Sequence, residues 1–425
     1  MTALGRLVCL TSLLAAAGCR DRAEAEGTGG PYARRVAEYA PQIERAVGLE
    51  FKSPPRVERR TRDEVRGFLL KQIEGERAQR DLAGQSAAYK RLGLLPDTLD
   101  LRAVLLDLLQ EQVAGYYDPK TKVLYVVGDA PPEVVGITIA HELIHALQDQ
   151  YVNLDSLLES DEANDRKTAA QAVMEGQATY EQLASMGGGA NLAARLPGGW
   201  EQMREMIRQE QGSMPRFAAA PTLLQETLLF PYLGGADFMR RFEERRRDTV
   251  PFSDMPTSTE QILHTGAYFG QPRDEPTTIT LPPPREGTTT YDNNLGEFET
   301  RLFLFQHLKD QDAALRGATG WDGDRYAVVR TPRGDGVVWV TVWDTPVDAA
   351  EFTDLLEQAI NLRYQPASRT TLSPELRTFA VAGRTVSRYS GEVSGRALVA
   401  YVDFPAGSRP DPIDLARVTL AEGRR

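Results

Sequence analysis

The stretch Ile137-Thr-Ile-Ala-His141-Glu142-Leu-Ile-His145-Ala-Leu-Gln148 decides the fold. Its apolar positions recur at helical spacing, and two His four residues apart stand one above the other on a single helix face. Two imidazoles so placed can converge on one metal ion. Zinc accepts such ligands in a small tetrahedral set that keeps a position open for water. Glu142 lies beside the first His, where a carboxylate can take a proton from that water. The chain has four His in all, and two of them fall at this spacing.

A third protein ligand has to come from elsewhere. Gln148 and Tyr151 stand where a His-Glu-x-x-His-x-x-Gly-x-x-His pattern would need Gly and His, so that pattern is absent. Glu175, in Val173-Met-Glu-Gly-Gln-Ala178, is the preferred candidate. On a helix it shares a face with Ala172, Ala178 and Thr179, and small residues let two helices approach closely. A carboxylate buried there would need a cation beside it. The competing reading makes Glu175 an exposed helix acid, like most glutamates. Asp149, Asp155 and Glu162 are the fallback ligands.

The motif His141-Glu-Leu-Ile-His145, followed by the acid of Glu175-Gly-Gln-Ala178, resembles the gluzincin group of zinc metallopeptidases. The wider run from Tyr117-Asp-Pro-Lys-Thr-Lys to Ala140-His-Glu-Leu-Ile-His-Ala-Leu-Gln-Asp149 is similar to poorly characterised bacterial and archaeal zincin-like proteins. The resemblance covers about 113–180 and extends weakly to 268. It implies that His141, His145 and Glu175 bind Zn2+ and that Glu142 is the general base. Members often add a His or Tyr that stabilises the oxyanion. His264, with Tyr268 one turn later, is the candidate for that catalytic role here. His307, on a Leu-rich helix, reads as structural.

Around this core the expected fold class is α+β and mainly helical. A zincin-like domain with a small β-sheet, 32–270, precedes a linker, 271–291, rich in Pro, Thr and Gly. A smaller α+β unit, 292–425, follows. Residues 32–109 read as mostly helical. Val113–Val127 reads as a hairpin around Asp118-Pro119, and its second arm, Lys122–Val127, offers an edge for an extended peptide. Helices are expected over Pro132–Tyr151 and Asp165–Ser185, with Gly187-Gly-Gly189 as the stop. Others are expected over Trp200–Gln211, Pro221–Phe230, Gly234–Arg246, Leu295–Leu308 and Asp348–Leu362. Strands are expected at Tyr326–Arg330, Val337–Trp343, Thr378–Ser387 and Ala397–Val402.

The N-terminus carries its own signal. Arg6, the apolar run Leu7–Ala17 and Gly18-Cys19 describe a secretory leader, 1–18, too short to span a bilayer comfortably. Leu14-Ala-Ala-Ala-Gly-Cys19 resembles the lipobox of bacterial lipoproteins, with Ala16 where Leu is more usual. The resemblance implies a lipid on Cys19, a tether over 19–31, and a place in the cell envelope. The only cysteines are Cys9 and Cys19, so the mature chain would hold no disulfide.

A formal net charge of -11 without a basic stripe argues against nucleic acid as a partner. Arg333-Gly-Asp335 is ordinary turn chemistry. A Gly-x-Ser-x-Gly elbow is absent. The expected function is zinc-dependent hydrolysis of peptide or protein substrates outside the cytoplasm, by metal-activated water with Glu142 as base. The alternative is a non-catalytic envelope-binding lipoprotein on the same scaffold.

Overall fold

Three sheets and two apolar cores organise the described residues. The structure is a computed structural model and describes residues 32–159, 163–186, 205, 207–209, 211–246 and 249–423. The leader, the tether, Cys19, Glu162 and Gly187-Gly-Gly189 lie outside the described residues, as does part of the helix expected at Trp200–Gln211. Among the described residues, no helix is long and apolar enough to cross a membrane.

The class is mixed α and β. Helices α1 (Ala33–Val47), α2 (Arg62–Glu74), α3 (Glu76–Leu92) and α4 (Leu101–Gln112) fill most of the first part. A strand, β1 (Arg56–Arg60), interrupts them. Its sequence, Arg-Val-Glu-Arg-Arg, holds one apolar residue, so no alternation betrays it. The expected hairpin forms as β2 (Gly115–Asp118) and β3 (Val123–Val127), paired antiparallel. β1 adds to β3 in parallel, giving the order β1-β3-β2. Both edges of β3 are therefore taken, and the peptide-binding edge expected at Lys122–Val127 is not there. A strand distant in sequence fills it.

The helix carrying His141 and His145, α5 (Pro132–Asp149), packs across this sheet. Beside it run α6 (Asn164–Met186) and α7 (Thr222–Arg245). The two helices expected at Pro221–Phe230 and Gly234–Arg246 are this one helix. Pro231 lies inside it, and the Gly234-Gly235 pair serves helix packing rather than a break.

The segment 271–291, expected to be a linker, contributes β4 (Thr278–Thr280) and the start of β5 (Thr288–Asn293). β5 joins β6 (Trp321–Thr331), β7 (Gly334–Trp343), β8 (Arg369–Thr371), β9 (Leu376–Val381), β10 (Arg384–Val393) and β11 (Arg396–Pro405). They form a seven-stranded antiparallel sheet, ordered β5-β6-β7-β11-β10-β9-β8. The single strand expected at Thr378–Ser387 is two strands, β9 and β10, joined at Ala382-Gly383, where Gly383 adopts a φ of 72°. β4 pairs instead with β12 (Thr419–Ala421).

Alternation along the long strands explains their continuous apolar character. Tyr326, Val328, Val337, Trp339, Val399 and Tyr401 face one side, with α8 (Gly296–Leu308) and α9 (Pro346–Tyr364). Ala327, Val329, Val338, Val340, Leu398 and Ala400 face the other, under Ile279, Ile413 and Val418. The first of these cores is continuous with that of α5, α6 and α7. The helix α3 closes the join: a Cβ on Gly84 would overlap the Tyr291 ring, and Tyr89 Oη donates to Glu299 at 2.9 Å. The described residues of 32–270 and of 292–423 thus share one interior.

Acids are buried at that join. Asp165 accepts hydrogen bonds from the backbone N–H and hydroxyl of Thr259, and Glu299 accepts from Tyr89 and Asn164. Burial pushes both carboxyls up to about 8. Unfolded carboxyls titrate near about 4, so the folded chain holds these protons more tightly. Their contribution to stability is full below about pH 4 and is lost as pH rises through about 8. The melting temperature is expected to fall between pH 7 and pH 9. That window lies above His307, whose pKa burial lowers to about 4. A flat or rising melting temperature there would show that the two acids are ionised in the fold.

Candidate metal centre

The helix α5 is apolar on nearly every side. Val135, Ile139, Leu143, Ile144 and Leu147 are buried, which suits a helix sunk in the core. His141, Glu142 and His145 are carried into that interior with 1%, 0% and 1% exposure. Glu175, on α6, is 0% exposed, so it is not a surface helix acid.

These side chains meet. The Nε2 atoms of His141 and His145 are 3.1 Å apart. Glu175 Oε2 lies 3.2 Å from the first and 3.3 Å from the second. Three ligands about 2.1 Å from a tetrahedral zinc would sit roughly 3.4 Å from one another. The triangle has nearly that size before any ion is placed in it.

The surrounding amides show what the triangle contains. Gln148 Nε2 donates to Met174 O at 3.1 Å and to Gln177 Oε1 at 2.9 Å. That fixes the amide's orientation, so its Oε1, 2.9 Å from His145 Nδ1, can only accept. Gln182 Oε1 stands in the same relation to His141 Nδ1, at 3.1 Å, while its Nε2 donates to Ile137 O at 3.4 Å. Both rings therefore carry a proton on Nδ1 and turn Nε2 inward. The two Nε2 atoms and a carboxylate oxygen converge, with a single shared proton among them when no metal is present. Such a set calls for a cation.

Electrostatics agree. Burial works to lower the pKa of His145, but the charge of Glu175, helped by Glu142, raises it to about 9. Burial likewise works against the Glu175 carboxylate, and the two His hold it down at about 2. Without a metal the cluster keeps a proton, and a metal must displace it.

Close helix packing sets the Glu175 position. A Cβ on Gly176 would overlap the backbone of Gly235 on α7, and one on Gly235 would overlap the Ala172 carbonyl. The two helices touch through these glycines, one residue after Glu175. One turn before Gly235, Tyr232 brings its ring to 6.1 Å from that of His141. Sequence reading missed Tyr232, Gln182 and the Gly176–Gly235 contact, because each depends on how α7 or the end of α6 lies against α5.

The remaining candidates lie elsewhere. His264 donates or accepts through Nε2 with Glu297 Oε1 at 2.7 Å, and this bond raises its pKa. It is not part of the His141 cluster. Its observed partner is Glu297, a buried glutamate. Tyr268 Oη donates to Asp254 O. Asp149 receives Tyr117 Oη and Lys122 Nζ, tying the hairpin to the end of α5. Asp155 lies beside Lys120. His307 Nε2 bonds the Leu92 carbonyl, a structural role.

Comparison with protein families matches residues 285–406, the seven-stranded sheet with α8 and α9, to a domain of unknown function (DUF8575). Comparisons with curated proteins and with solved structures return no match. The metal centre lies outside the matched stretch.

Proposed function

We propose that the chain is a zinc-dependent peptidase of zincin type, with His141, His145 and Glu175 as ligands and Glu142 as general base. The observation that carries this reading is the converging triangle of three acceptors beside a buried carboxylate. A zinc ion held there would supply Lewis acidity and lower the pKa of water. Glu142 would take a proton from the attacking water and return it to the leaving amine. Gln148 and Gln182 keep the two rings in the tautomer that leaves Nε2 unprotonated.

One observation favours a second reading, a non-catalytic scaffold. All four residues are buried, so a peptide reaches them only if the residues around α5 and α6 move apart.

A single experiment separates the two. The zinc content of the full chain is measured after metal-free dialysis, for the native sequence and for Glu175→Ala, alongside cleavage of a peptide pool. About one zinc per chain, lost in Glu175→Ala, with chelator-sensitive cleavage supports the peptidase. Zinc without cleavage leaves the scaffold. Absence of zinc uptake by the folded native chain sinks both.

A further inference from the structure

A second group of acids lies where the two halves of the chain join. Glu260 sits on the short helix Thr259–Leu263, Asp274 lies in the loop that follows the next short helix, Thr265–Phe269, and Asp344 is the first residue after β7. Their carboxylate oxygens lie within 4.8 Å of one another. The loop is held in place by Gln261, whose side chain donates to the Asp274 carbonyl and accepts from Thr257 N and Arg273. Asp344 is fixed from the other side by its N–H to Gly320 O at 2.9 Å.

Glu260 makes the group more than a patch of surface acids. It is 5% exposed, and its carboxylate has no hydrogen-bond or ion-pair partner among the described residues. It is aimed at the two aspartates. Arg396, whose charge acts on Asp274 and Asp344, is paired with Asp322. A buried carboxylate facing two others is costly unless a cation or a proton joins it.

We propose that Glu260, Asp274 and Asp344 form a calcium site that clasps the DUF8575-matched sheet to the helical half. The ligand chemistry selects the ion. Three hard oxygens without nitrogen or sulfur suit calcium and not zinc, and open positions beside Asp344 leave room for water ligands. Burial pushes all three pKa values up, Glu260 to about 10 and Asp344 to about 7, helped by neighbouring acids: Glu297 and the two aspartates at Glu260, Asp322 at Asp274, and Asp274 and Asp322 at Asp344. This is the signature of negative charges without a counterion. The site is separate from the His141 centre and stands whether or not that centre is catalytic.

The test is a titration of the full chain with calcium chloride, followed by calorimetry and by the melting temperature. The native chain is expected to bind about one calcium with a dissociation constant of roughly 10⁻⁴ to 10⁻³ M, the range of extracellular modules, and to melt higher as it does so. Asp344→Asn and Asp274→Asn each keep the shape and remove one charge. Each is expected to weaken calcium at least about tenfold and to raise the melting temperature of the calcium-free protein. Glu175→Ala is expected to leave the calcium response intact. No binding and no melting shift at about 10 mM calcium, well above that range, would overturn the proposal. So would an unchanged affinity in both Asn variants, and the three acids would then be sharing protons.

Discussion

Replacing Glu142 by Gln is expected to leave zinc bound and to remove hydrolysis. The two side chains have the same shape, and Glu142 is fully buried beside His141, so the ligand triangle is undisturbed. Gln cannot accept a proton. The loss is expected to be about 10²–10⁴-fold in kcat/KM, the span of general-base catalysis. Stability should not suffer, because a charge is withdrawn from an apolar interior. Steady-state cleavage and elemental analysis on the same preparation check this. Undiminished cleavage in a zinc-loaded Glu142→Gln protein would end the base assignment.

Gly235→Ala is expected to be among the most damaging single-methyl additions the chain can receive. The new carbon would overlap the Ala172 carbonyl and stand 2.9 Å from Gly176 Cα. Both neighbours are helix backbone, so nothing flexible can give way. The helices α6 and α7 must part, at a cost of roughly 3 kcal/mol, the upper end for overpacking. Because Glu175 sits next to the contact, zinc affinity should fall as well. Gly67→Ala provides the contrast. Gly67 lies inside α2 and a Cβ there meets nothing within 4 Å. That change is expected to stabilise by up to about 1 kcal/mol through helix propensity alone. Chemical denaturation of both variants reads the difference. Equal midpoints would mean that the Gly176–Gly235 contact does not hold the two helices.

The site was unusually legible where its information is local. His141, Glu142 and His145 share one helix, and a spacing of four places the rings on one face whatever the surroundings. Glu175 is a longer reach. Its small neighbours announce a close helix contact, and a close contact around an acid implies a cation. His264 shows the limit of the same method. A lone His between two short helices carries no spacing from which to infer a partner, and its partner proved to be Glu297 on α8.

Sheet membership was less legible than helices. β1 was missed because a strand with charged side chains on both faces has no apolar period, and its partner β3 lies 67 residues further on at Arg56 and Val123. The stretch 271–291 looked like a linker because Pro and Thr dominate it, yet Ile279 and the β5 strand tie it into the second sheet. Pro231 and the adjacent glycines looked like a helix stop. In an isolated chain they would be one, but packing against Gly176 outweighs propensity.

The sequence by itself determined the class of elements, the motif helix and the chemistry of its three acceptors, because those follow from periods of two or four residues and from side-chain type. The tertiary structure decided which strand fills the edge beside β3, which ring stands against His141, how the amides orient the two imidazoles, and which acids face one another across the join. Those depend on contacts between residues tens to hundreds of positions apart, where packing and not local propensity selects the partner.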